Sequence, residues 1–364
     1  MKQCNLKYSA KKPILFLLFI HLLSYCVPSV NEPSPAILLA LVSPTFTVNT
    51  SFQLPDSNQT TCYDAAGGTR SCTGSGEDGS YLNTPAPYNL TITDAGETIT
   101  ETSSGLIWTR CIAGRVWDGS TCVGGSNLTL QWPSAMAYCT QLTTANRRWR
   151  LPSTREANLL PDYNLTSLPL LSTVFFPTAP TIQFWTSTPG VNADNYYAYS
   201  TNGSTSILAE TTTLGVRCVS DPIPPSPDFT DQGDGTVVES GSGLIIKKCA
   251  IGQTDDASCT GTPTALTWQQ AIDACEGLNF ASRTNWRLPS VREGYHLIDA
   301  TWAAGFSQNL PIGIFPNGFL SSNFWTGTSV GQAGQTSNAY YISVSNITTA
   351  DKGTTIRARC VANP

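Results

Sequence analysis

The stretch "NRRWRLPSTREANLL" at residues 146–160 returns as "TNWRLPSVREGYHLI" at residues 284–298. A shared Trp-Arg-Leu-Pro-Ser-x-Arg-Glu core of this length marks a duplication. Ser153 with Glu156, and Ser290 with Glu293, each make the S-x-x-E pattern of a helix capping box. Pro152 and Pro289 hold the chain extended just before the cap. Trp149, Leu151, Trp286 and Leu288 supply apolar area, and Arg150 and Arg287 are placed to pair with an acid. The string therefore reads as a strand-to-helix corner rather than a catalytic set.

The similarity runs outward in both directions. "SSGLIWTRC" (103–111) matches "GSGLIIKKC" (241–249), and "LQWPSAMAYC" (130–139) matches "LTWQQAIDAC" (266–275). "QFWTSTP" (183–189) matches "NFWTGTS" (323–329), "NYYAYS" (195–200) is paired with "AYYISV" (339–344), and "VRCV" (216–219) with "ARCV" (358–361). Each copy is domain-sized, and the period is too long for a solenoid. This divides the chain into an export signal at 1–25, a tether at 26–61, a first domain at 62–220, a linker at 221–228 and a second domain at 229–364. "DPIPPSPD" is the linker, stiffened by four prolines.

Trp268, Ile272, Cys275 and Leu278 recur at helical spacing, as do Trp132, Met136, Cys139 and Leu142. Thr267 with Gln270 is a second kind of capping box, and Pro133 suits a first helical turn. The segments around 216–219 and 356–361 alternate and are β-branched, which reads as strand. Pairing helix with last strand joins Cys139 to Cys218 and Cys275 to Cys360. Cys111–Cys122, Cys249–Cys259 and Cys62–Cys72 then close local loops, the last around a Gly-Gly turn that has no counterpart in the second copy. Metal ligation is the weaker use of these cysteines, since no His or CxxC spacing accompanies them.

The amino terminus carries Lys2, Lys7, Lys11 and Lys12, then an apolar run at 14–23. That is the pattern of an export signal, too short to span a bilayer as a mature helix. It ends "LSYC", a lipobox-like sequence in which Cys26 would carry the lipid, although Tyr25 is large for the position before the cut. The expected location is the outer membrane or cell surface, held by a lipid anchor in the membrane. Plain secretion, or an uncleaved anchor helix, is the alternative. A second apolar run, "AILLALV" at 36–42, is too short to span.

Without those four lysines, 16 basic residues face 25 acidic ones, so the balance moves from −5 to about −9. This disfavours nucleic acid as a partner. Twelve cysteines in an exported chain imply disulfides, and ten remain once Cys4 and Cys26 are set aside.

Taken together, the G-L-x-W string, the W…C helix, WRLPS-x-x-E, FWTST, the paired tyrosines and the closing RCV resemble the C-terminal domain family of Legionella collagen-like proteins. "TDQGDGTVVESGSGLI" (230–245) is similar to that family's opening strand pair. The resemblance covers both copies. It implies an α+β fold of two tandem C-type-lectin-like domains, each a twisted antiparallel sheet with flanking helices, stapled by disulfides. It also implies an exported surface protein, some relatives being adhesins that bind sulfated glycans. Ile246 stands where the first copy has Trp108, and the first copy has "GET" where the second has "DGT". Neither copy has the Glu-Pro-Asn or Trp-Asn-Asp strings of calcium-dependent sugar binders, and no collagen-like tract is present.

Four tyrosines, Tyr196, Tyr197, Tyr340 and Tyr341, are the candidate ligand contacts. Neighbours on a strand point to opposite faces, so one of each pair should be exposed. Trp185 and Trp325 read as core. His296 reads as a partly buried helix residue, and His21 lies in the signal. Gly327-Thr328-Ser329-Val330-Gly331 matches the nucleophile elbow, but Pro189 replaces the serine in the first copy and no His follows Ser329. Asp231 and Asp234 read as a turn rather than a calcium loop. The expected function is a non-catalytic, adhesin-like protein that binds an extracellular glycan or protein without a cofactor. A structural envelope protein is the second reading and an exported hydrolase the third. Function is sought in loops that differ between copies, such as 187–195 and 327–338.

Overall fold

The two WRLPS corners fold alike. Ser153 caps helix α2 (Thr154–Ala157) and Ser290 caps helix α4 (Val291–His296), each in a complete capping box with the glutamate three residues on. Those glutamates also take the corner's arginine. Arg150 reaches Glu156 through two bonds of 2.7 and 2.5 Å, and Arg287 reaches Glu293 through two of 2.6 Å. Bridges Arg150–Val219 and Arg287–Val361 pin each corner to the last strand of its repeat.

The computed structural model describes residues 52–177, 183–190, 194–220, 222–298, 314–316, 323–343 and 346–363. The export signal, Cys26, His21 and the apolar run at 36–42 lie outside the described residues. Strands dominate and helices are few, an α+β architecture in the broad sense.

Among the described residues each repeat builds two main sheets, and the first adds a two-stranded ribbon of Val116–Trp117 with Cys122–Val123. In the first repeat one sheet runs in the order Thr205–Ala209, Asn195–Ser200, Gln183–Pro189, Leu214–Gly215, Thr129–Leu130. The other runs Val219–Ser220, Ile107–Thr109, Thr98–Glu101, Leu90–Thr93. The second repeat repeats both. Phe324–Ser329, Asn338–Ile342 and Ile347–Asp351 form one sheet, and Phe229–Asp231, Thr236–Glu239, Ile245–Lys247 and Val361–Ala362 the other. Bridges Leu266–Ile356 and Phe324–Arg357 stand where the first repeat has two-residue strands.

Helices α1 (Trp132–Gln141) and α3 (Trp268–Glu276) lie against the sheets that contain Gln183–Pro189 and Phe324–Ser329 respectively. Thr267 and Gln270 complete a capping box on α3, whereas α1 starts with Pro133 in its first turn and no side-chain cap. Trp149, Trp185, Trp286 and Trp325 are all buried, as aromatic core residues that together exclude much water. Disulfides join Cys139–Cys218 and Cys275–Cys360, helix to last strand, and Cys111–Cys122, Cys249–Cys259 and Cys62–Cys72 close short loops.

Two sequence expectations give way here. Residues 52–61, expected in the tether, are packed into the body. Phe52 and Leu54 are buried in the first repeat's core with Trp108 and Val219, and Gln59 exchanges two bonds with the backbone of Ser329. The repeats also share an interface. Arg292 donates to the carbonyls of Asp56 and Pro161 and lies over the Tyr88 ring. The rings of Tyr163 and Tyr340 meet edge to face at 5.1 Å, and Arg155 reaches the His296 ring at 3.0 Å. His296, expected to be half-buried, is sealed among Arg155, Glu239 and Phe52. The physical reason is shared: α4 of the second repeat packs against the first repeat, so its polar face needs partners there.

Candidate functional site

The Tyr pairs do not align as the strings suggest. Thr186 donates to the carbonyl of Tyr197, and Thr326 donates to that of Tyr340, each at 2.8 Å. Trp185 faces Ala198 across its strand pair, and Trp325 faces Tyr341. The structural register therefore matches "NYYAYS" (195–200) with "NAYYIS" (338–343), one residue away from the string match. Tyr197 and Tyr340 are the equivalent pair, and both are buried. Tyr341 is half-buried and packs edge-on against Trp325. Only Tyr196 is both half-exposed and stacked flat on another half-exposed ring, that of Trp132, at 3.6 Å and 12°.

Trp132 opens α1, with its indole N–H bonded to the Thr186 carbonyl at 2.9 Å. Trp268 opens α3 and makes the same bond to Thr326 at 2.8 Å. Yet Trp268 is completely buried while Trp132 is partly exposed. Likewise Ile272 is buried and its equivalent Met136 is half-exposed.

The difference is a cover. The hairpin Cys62–Tyr63 with Thr69–Arg70, closed by Cys62–Cys72, and the residues after it lie on the second repeat. Lys352 donates to the carbonyls of Tyr63 and Asp64 at 2.6 and 3.1 Å and rests over the Trp268 ring at 4.2 Å. Burial pushes the Lys352 ammonium down to about 8. Gly76 packs so closely on α3 that a Cβ there would stand 2.4 Å from the Ile272 side chain. Its positive φ of +70° also suits glycine. Further along, Glu77 accepts from Ser329 Oγ, Asp78 bonds the Thr328 hydroxyl, and Tyr81 bonds Glu276.

The first repeat lacks the groups that hold such a cover. Pro189 stands at the Ser329 position and offers neither hydroxyl nor N–H. Glu210 stands at the Lys352 position. Its carbonyl takes the Trp132 N–H at 3.0 Å, as the Lys352 carbonyl takes that of Trp268 at 3.0 Å. Asp194 stands at the Ser337 position, since Glu210 N–H donates to Asp194 O at 2.8 Å and Lys352 N–H to Ser337 O at 2.9 Å. The open face in the first repeat is thus Trp132, Tyr196 and Met136, bordered by Pro189, Asp194 and Glu210.

Other sequence candidates are absorbed by the fold. Ser329 is buried and bonded to Glu77 at 2.8 Å, with no histidine among its bonding partners. Asp231 pairs with Lys248 at 2.6 Å, and Asp234 caps its own turn at Thr236. Among the described residues no group of three or more His, Cys, Asp or Glu side chains is arranged to hold a metal ion. Among them, too, no helix is long and apolar enough to cross a membrane. Tyr340 turns its hydroxyl to the Asn202 carbonyl at 3.1 Å, at the edge of a small groove between repeats, about 150 Å³ and lined by Asn202, Ser204, Gln332 and Gln335.

The asymmetric cover was not readable from the sequence. One signal did point to it: the Cys62–Cys72 loop occurs once, whereas the other eight paired cysteines form two matched sets. A family model described as the Lcl C-terminal domain matches residues 97–220 and, again, residues 235–362. No curated protein matches the chain.

Proposed function

This chain belongs to the Lcl C-terminal domain family through both of its repeats, and from that premise we propose that it is an exported, non-catalytic binding protein of the cell surface. In this reading Cys26 carries a lipid anchor after removal of the export signal, and each repeat is a C-type-lectin-like module. The ligand is an extracellular glycan or protein, in an adhesin-like role. One observation carries the reading. The same aromatic position is sealed in the second repeat by a stapled hairpin and left half-open in the first, where Tyr196 stacks on Trp132 at 3.6 Å. A duplicated module that covers one face and leaves its twin uncovered suits recognition by the uncovered one, since exposed aromatic pairs are common binding anchors. The buried, bonded state of Ser329 and His296 supports the non-catalytic part of the proposal.

The test uses the full exported chain on arrays of glycans and matrix proteins, beside a Tyr196→Ala variant. Binding that weakens in the variant is the expected result. Mass spectrometry of the mature amino terminus tests the lipid on Cys26. Absence of any ligand on the arrays, with crosslinking on intact cells recovering envelope proteins alone, would replace the adhesin-like role with a structural one.

A further inference from the structure

The second repeat shows what the aromatic position accepts. Its Trp268 ring carries a lysine ammonium, Lys352, at 4.2 Å, and that lysine also anchors the carbonyls of the covering hairpin. A cation over an indole face is attracted by the ring quadrupole, more so when water is excluded.

In the first repeat the cation is gone and the charge is reversed. Glu210 leaves the backbone where Lys352 does, and Asp194 replaces Ser337. Tyr196 replaces Ala339 and lays its ring on Trp132, which widens the aromatic surface. Neither Glu210 nor Asp194 has an ion-pair partner among the described residues. The chain's own hairpin is a poor occupant. It offers carbonyls, Glu77 and Asp78 to this position, and the first repeat answers with carboxylates and with Pro189 in place of the donating Ser329.

Resting on the reading of the first repeat as the binding one, we infer that its open face takes a lysine- or arginine-bearing segment of another protein. The partner's cation replaces in trans what Lys352 supplies in cis. It lies against the Trp132–Tyr196 pair, with Glu210 and Asp194 beside it as counter-charges. Met136 receives the apolar neighbour of that cation, as Ile272 receives the chain around Gly76. The excess of 25 acidic over 20 basic residues in the whole chain favours approach of a basic partner but does not by itself choose a place.

The test is a titration of the full chain with short lysine-rich and arginine-rich peptides and with glutamate-substituted counterparts, read by tryptophan fluorescence and calorimetry. Saturable binding of the cationic peptides alone is expected. Glu210→Lys should fill the site in cis and weaken binding at least about tenfold, because a like charge would then face the ligand. Glu210→Gln should give a smaller loss, and it keeps the test open if the lysine variant folds poorly. Asp273→Asn, which removes an exposed charge from the second repeat, should leave binding unchanged. No binding of either cationic peptide, or equal weakening by Asp273→Asn and Glu210→Lys, would overturn the assignment, the latter showing attraction by bulk charge alone. Array ligands that bind normally to Glu210→Lys would overturn this inference while leaving the proposed function standing.

Discussion

Ser329 donates its hydroxyl to Glu77 at 2.8 Å, joining positions 252 residues apart in the chain. The serine of an apparent nucleophile elbow is therefore a fastener between the second repeat and the segment that covers it. Replacing it by alanine leaves a buried carboxylate short of one donor, which costs about 1–2 kcal/mol. Denaturant unfolding of Ser329→Ala should show that loss, and ester hydrolysis by the chain should be the same before and after. Hydrolysis that disappears with stability intact would instead make Ser329 a nucleophile.

The duplicated corners allow an internal comparison. Arg287 and Glu293 are both buried, at 3% and 0% side-chain exposure, whereas Arg150 is 16% exposed opposite Glu156. Breaking a buried ion pair by removing one charge costs about 3–5 kcal/mol, and water reduces the cost at a half-open site. Glu293→Gln should thus lower the melting temperature more than Glu156→Gln, since glutamine preserves the capping box in both. Equal losses would show that capping, not charge pairing, dominates these corners.

Asp78 contributes a pH dependence to the cover. Burial, and then the nearby Asp56 charge, hold its carboxyl up near 7 in the folded chain against an ordinary value of 3.8. The folded state therefore binds more protons than the unfolded state between those values. Stability from this group is present at acid pH and is lost as pH rises through about 7. Asp78→Asn, an uncharged mimic, should raise stability above neutral pH and flatten the profile between pH 4 and about 7. A variant whose profile tracks the parent would assign that dependence to other groups.

Opening the Cys62–Cys72 loop should uncover Trp268. The pair closes a short loop, worth about 3 kcal/mol in the chain-entropy model. With both cysteines changed to serine, the hairpin should loosen from Lys352 and tryptophan emission should shift to the red. Quenching by iodide should rise as well. An unchanged spectrum would mean that Gln59, Glu77 and Asp78 hold the cover without the disulfide.

The corners were legible because their information is local. A Ser and a Glu three residues apart, with Pro before them, fix a helix start within one turn. Two cysteine pairings, Cys139–Cys218 and Cys275–Cys360, could be read because helix and strand patterns recur in both copies, and the other three because their partners lie 10 or 11 residues apart. The tyrosines misled for a different reason. "NYYAYS" and "AYYISV" match best by letter when both Tyr-Tyr pairs are superposed, but the strand register is set by Thr186 and Thr326 bonding the carbonyls of Tyr197 and Tyr340. A slip of one residue reverses which side chains face the core. The packed state of residues 52–61 is not legible in the sequence, because an isolated Phe52, Leu54 and Gln59 carry no periodic signal.

The sequence by itself determined that this protein is a duplicated, disulfide-stapled module with two equivalent corners, two helices beginning at tryptophan and a closing strand. Repetition and short-range chemistry are enough for that. Only the tertiary structure decided that the copies are inequivalent. The hairpin at 62–72 reaches across to the second repeat, seals Trp268 beneath Lys352, and leaves Trp132 and Tyr196 open beside Glu210. That choice rests on complementarity between surfaces far apart in sequence: a buried cation meeting carbonyls on one repeat, and carboxylates and a proline that refuse them on the other.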